Sequence, residues 1–85
     1  MAKDGDAPEK KTARSFGTVL RRHRDGLALS QEKVAEASGL DRTYISMLER
    51  GVHQPSLHTL LRLADALGVP ADQLTREVVR ELDGG

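Results

Sequence analysis

The sequence predicts an all-α fold of five short helices with a helix-turn-helix at its centre, and three observations carry that prediction. The run from Gln31 to Arg50, QEKVAEASGLDRTYISMLER, has the spacing of two short helices packed across a tight turn. Elsewhere apolar residues recur at intervals of three and four, the period of a helix that buries one face. No segment alternates as a strand would, and no internal repeat is visible. A chain of 85 residues has room for one core and no second one. Only Phe16 and Tyr44 are aromatic, so that core must be aliphatic.

Residues 1–12 are charged and polar, with Gly5 and Pro8 and no helical period, which predicts a disordered arm ahead of a domain spanning 13–82. A first helix is expected from Ala13 to Asp25, with Phe16, Val19, Leu20 and His23 as its inner stripe and Gly26 ending it. Ser30 caps the second helix, although Lys33 at N3 cannot close a capping box. Ala35 is the small residue that lets two helices cross closely, and Gly39 supplies the left-handed residue at which the second helix stops. Leu40 plugs the turn. Asp41 is expected to accept from the free amides of the third helix, 42–49, in which Ile45 and Leu48 point back onto Val34 and Ala35. Gly51 ends it. Ser56 then caps a fourth helix, 56–67, whose stripe is Leu57, Leu60, Ala64 and Leu67 and whose stop is Gly68. Pro70 opens a fifth, 71–82, with Leu74, Val78 and Leu82 spaced by four.

What remains on the outer face of the third helix is Arg42, Thr43, Ser46 and Met47, with Tyr44 beside them. This face is polar, yet nearly free of the Glu/Lys mixture that solubilises most exposed helices. It suits a recognition helix laid in the major groove of double-stranded DNA. Base contacts are expected from Arg42, which can fork onto guanine O6 and N7, from Thr43 and Ser46, and from Met47 against a thymine methyl. A cation at the start of a helix works against the helix dipole, so Arg42 stands where a merely solvated arginine is disfavoured. Backbone contacts are expected from Tyr44 and from Arg50, His53 and Gln54 in the following loop. Gln31 joins them at the start of the second helix, where its amide and the free N–H groups can hold a phosphate.

Charge argues for selectivity over general affinity. Thirteen basic and thirteen acidic residues give a formal net charge of zero, unlike the basic footprint of a non-specific DNA binder. No cysteine is present, which excludes disulfides and thiolate metal sites and suits the cytoplasm. His53 and His58 are separated by Pro55 and Ser56, which rules out a helical zinc pair, so neither metal nor cofactor is expected. No apolar run approaches the roughly 20 residues of a membrane span, and no deep pocket or oxyanion-hole signature suggests an enzyme. Leu61, Val78, Val79 and Leu82 exceed what one stripe of a small domain can bury, and a homodimer would cover them.

The segments FGTVLRRHR, LSQEKVAEASGLDRTYISMLERG and PSLHTLLRLADALGV, in this order, resemble the Cro and lambda-repressor-like regulators, the xenobiotic-response-element type. The resemblance covers roughly Phe16 to Leu74, and within it LDRTYISMLERG is most similar to the controller proteins of restriction-modification systems. It implies a lambda-repressor-like domain that binds a palindromic operator as a homodimer and regulates transcription, by blocking RNA polymerase or by touching it. It also implies that Gln31 holds a phosphate and that Arg24 and Glu49 form an internal salt bridge. The chain departs from the family at Ala28, where glycine is common, which leaves the end of the first helix open. The rival reading is an antitoxin-like or adaptor module that uses the same fold but works through its fourth and fifth helices.

Overall fold

The computed structural model describes residues 7–84, and of the arm expected at 1–12 the first six residues lie outside them. Five helices follow one another: α1 (Pro8–Gly26), α2 (Gln31–Ser38), α3 (Arg42–Glu49), α4 (Leu57–Leu67) and α5 (Ala71–Leu82), with no strand among the described residues. Their packing closes a ring, α1 on α3 and α5, α2 on α3 and α4, and α4 on α5. At its centre Val19, Leu20, Val34, Ile45, Leu48, Leu63 and Leu74 are fully buried, with Phe16 and Ala64 beside them. Burial of an aliphatic side chain of this kind stabilises by about 1.5–3 kcal/mol.

The first helix starts five residues earlier than the sequence suggests. Pro8 occupies the opening turn, where its missing N–H costs nothing and its fixed φ is already helical, and Glu9 complements the positive helix end. Residues 8–12 are therefore helix rather than arm.

The other end of α1 is also displaced. Gly26 is still helical, and the residue in the left-handed region is Ala28, with φ 57°, the one non-glycine residue with positive φ among those described. Leu29 N–H donates to Arg24 C=O at 3.1 Å and Ala28 N–H to Asp25 C=O at 2.9 Å, the paired bonds of a Schellman turn. Gly39, Gly51 and Gly68 hold the matching positions after α2, α3 and α4. Alanine is tolerated in the first turn because both sides of it are anchored: Leu29 packs against the core, and its carbonyl accepts from Arg24 Nη1 at 2.8 Å.

Ser30 and Ser56 cap α2 and α4 by accepting from Lys33 N–H at 3.0 Å and Thr59 N–H at 3.1 Å. Asp41 does not cap α3: its backbone has the extended geometry of a cap, but its exposed carboxylate makes no such bond. At the end of α2, Arg62 on α4 donates from Nε to Ser38 C=O at 2.8 Å, a cation placed where the helix dipole favours one. One stripe assignment and one interface assignment also change. Leu57, the first residue of α4, is 73% exposed, and Leu63 takes the buried place. Val78 is 8% exposed and belongs to the core of its own chain, not to a surface that a partner can reach.

Candidate nucleic-acid interface

Two contacts fix the attitude of α3, and both run through its C-terminal end. The first is steric. A Cβ built on Gly17 would lie 2.4 Å from Leu48 O and 2.6 Å from Glu49 O, so α1 meets the backbone of α3 at a distance only glycine allows. The second is ionic. Glu49, whose side chain is 4% exposed, accepts from Arg24 Nε at 2.5 Å and from Arg24 Nη2 at 2.9 Å. The bond to Glu49 raises the Arg24 guanidinium still further above its ordinary range, against the opposing effect of burial.

Glu49 has a third partner that links this pair to the surface. Gln31 Nε2 donates to Glu49 Oε1 at 3.1 Å, and Gln31 Oε1 in turn accepts from Arg42 Nη1 in a long contact of 3.4 Å. The buried carboxylate thus orients the amide of Gln31, and that amide leans on the first side chain of α3. Sequence reasoning placed Gln31 against phosphate alone; the structure gives it a place between the ion pair and Arg42.

Along the outer face of α3, Arg42 and Thr43 are exposed, while Tyr44, Ser46 and Met47 are half-buried. Arg50 closes the helix and donates from Nε to Ser46 Oγ at 3.4 Å. The Tyr44 and His53 rings lie 6.2 Å apart at 41°, which ties the loop after α3 to the flank of the helix. His53 and Gln54 are exposed in that loop. The outer face therefore presents donors in a row with apolar atoms of Met47 among them, a composition that can read base edges and contact a thymine methyl.

Away from α3 in the chain, Leu57 and Leu61 on α4 and Val79 and Leu82 on α5 are 73, 47, 51 and 42% exposed. Among the described residues no group of His, Asp or Glu is placed to hold a metal ion, and no helix is long and apolar enough to cross a membrane.

The sequence pattern of the Helix-turn-helix family matches residues 20–74. The control protein C.SmaI of Serratia marcescens is 42% identical over 66 residues, 76% of this chain and 79% of that protein. A further relative, an uncharacterized HTH-type transcriptional regulator of Mycobacterium tuberculosis, is 38% identical over 58 residues, and the chain spans 41% of its length. Among solved structures, the restriction-modification controller protein C.AhdI of Aeromonas hydrophila superposes with a TM-score of 0.71 at 44% identity, covering 73% of this chain and 94% of that one. The controller protein C.Esp1396I, solved as a tetramer in complex with its natural 35 base-pair operator, matches at 27% identity with a TM-score of 0.77 over 84% of this chain and 93% of that one. Since the family pattern takes in more than half of the 85 residues, the chain belongs to the helix-turn-helix family of DNA-binding transcription regulators of the xenobiotic-response-element type.

Proposed function

We propose that this protein is an operator-binding regulator of the controller type, a homodimer whose two copies of α3 read the half-sites of a palindrome in the cytoplasm. The observation that carries the reading is the outer face of α3, where Arg42 is exposed at the first helical position and braced by Gln31. Its guanidinium is the base reader, forked onto a guanine; Thr43, Ser46 and Met47 complete the readout. Gln31, Tyr44, Arg50, His53 and Gln54 hold the flanking phosphates. Leu61, Val79 and Leu82 form the two-fold interface, joined by Leu57. A single recognition helix of eight residues contacts few base pairs, whereas two helices about 34–36 Å apart contact both halves of a site. With the dimer seated on promoter DNA, RNA polymerase is the machinery it blocks or touches, and the concentration of the protein is the switch.

Selection from a random duplex library, followed by titration of the enriched site against a scrambled duplex at physiological salt, tests this reading. Enrichment of a palindrome with half-sites about one turn apart is the expected result. Folded protein that enriches nothing sinks it, in favour of an adaptor working through α4 and α5. Arg42→Ala is expected to cost on the order of 1–3 kcal/mol of discrimination per half-site and to leave folding and dimerisation intact.

A further inference from the structure

Beside the loop that follows α3, the first turns of α1 form one wall of an open cleft of about 530 Å³. Lys10 and Arg14 line it from α1, Arg50, His53 and Gln54 line it from the other side, and among the described residues Glu9 is the carboxylate that lines it. In a chain whose formal charge is zero, the described residues of this lining include three permanent cations, Lys10, Arg14 and Arg50, and one acid. The convergence follows from two features of the backbone. Residues 8–12 are helical, so Lys10 stands just over one turn before Arg14, about 6 Å along the axis. Gly51, with φ 73°, lets the loop pass directly under α1: a Cβ there would lie 2.9 Å from Arg14 Cα and 2.8 Å from Arg14 Cγ.

The cleft is continuous with the face of α3. Arg50 lines it while bonding Ser46, and His53 lines it while packing on Tyr44. A helix of eight residues is about 12 Å long, close to the width of the major groove, so the groups beyond its C-terminal end meet the wall of the groove rather than its floor. That wall is a line of phosphates.

We infer that Lys10 and Arg14 of α1 extend the DNA-contacting surface beyond the helix-turn-helix, forming with Arg50 and His53 a seat for the sugar-phosphate backbone at the edge of the operator. The inference rests on the reading of α3 as the recognition helix. Contacts of this kind add affinity without sequence preference and steepen the dependence of binding on salt. They give a chain without net positive charge a place where counterions are displaced.

The test is a set of anisotropy titrations of the full chain with the selected operator and with a scrambled duplex over a range of salt concentrations. Lys10 is exposed, so Lys10→Ala should fold as the parent does, which circular dichroism verifies; Arg14→Lys, which keeps the charge, accompanies it, and Arg80→Ala on α5 serves as a control for loss of any cation. The expected result is that Lys10→Ala flattens the slope of log K against log salt by about 0.9 for each phosphate contact removed, weakens both duplexes by the same factor, and leaves their ratio unchanged. Arg14→Lys should keep the parental slope, and Arg80→Ala should match the parent. A parental slope in Lys10→Ala overturns the inference, as does a change in the operator-to-scrambled ratio, which would make Lys10 a base reader. If the parent protein itself binds no duplex in a salt-dependent way, the operator reading falls and takes this inference with it.

Discussion

The two uncovered faces of the molecule are held by opposite means. The face of α3 is set from beneath by a glycine contact between backbones and by a buried bidentate ion pair. The face of α4 and α5 is joined to α1 by groups nearer water: Arg22 pairs with Glu81 at 2.8 Å with the arginine side chain 54% exposed, and His23 bonds Glu77 at 2.8 Å with both side chains about one-fifth exposed. On the reading proposed above, α3 meets a rigid lattice of base edges and phosphates and gains from having one attitude, whereas a surface that meets a second copy of itself can adjust on both sides and needs less support. The difference teaches that burial of polar groups in this fold follows the demand for geometry rather than the supply of space.

The largest expected effect comes from removing the support of the first face. Glu49→Ala leaves Arg24 and Gln31 without their shared acceptor, and breaking a buried pair in this way costs about 3–5 kcal/mol. Chemical denaturation would read the loss; a change below about 1 kcal/mol would mean that the pair does not set the attitude of α3. The second face is broken differently. Val79→Asp places a charge on a half-exposed apolar site, so the chain should fold normally while dimerisation weakens by more than tenfold in sedimentation experiments. An unchanged dimer would remove α5 from the interface.

Smaller effects sharpen the contrast. Ala28→Gly relieves a left-handed alanine in the turn that holds Arg24 and is expected to raise stability by up to about 1 kcal/mol, measured by thermal unfolding. The last prediction concerns acid. Glu77 has its carboxyl held below the usual glutamate range, chiefly by the hydrogen bond from Gln73 and further by His23. A depressed carboxyl stabilises the fold above the ordinary glutamate range and loses that contribution as the pH falls through its own lowered range. Glu77→Gln should therefore show a flatter acid limb in stability against pH than the parent, with the two curves meeting in strong acid.

Much of the fold was legible because its punctuation is local. Ser30, Ser56, Gly39, Gly51 and Gly68 act on their own turns, so their roles follow from position in the chain alone. What was hidden depends on neighbours far away in sequence. Gly17 looks like an ordinary helical residue until Leu48 and Glu49 are placed against it. Ala28 could take a glycine's place only because Arg24 and Leu29 brace the turn from both sides. Val78 stands with Leu74 on the stripe that the spacing assigns to α5 and is buried there, so counting it beside Val79 as an interface residue set that periodicity aside. Pro8 was counted with the polar arm when it is in fact the opening of α1; proline at the head of a helix was the available signal. Of the candidate site, the identity of the outward residues on α3 was readable and the Arg24–Glu49 pair was implied by the family resemblance, but the continuation of that pair through Gln31 to Arg42 required the fold.

The glycine contact between α1 and α3 also bears on how such a protein diversifies. Because α3 is positioned by main-chain atoms at one end and by buried Ile45 and Leu48, the exposed side chains at 42 and 43 carry little of the packing that places it. They can be exchanged one at a time without moving the scaffold. On the operator reading proposed above, a lineage built on this chain can acquire a new operator by point substitution at positions that the requirements of folding leave open.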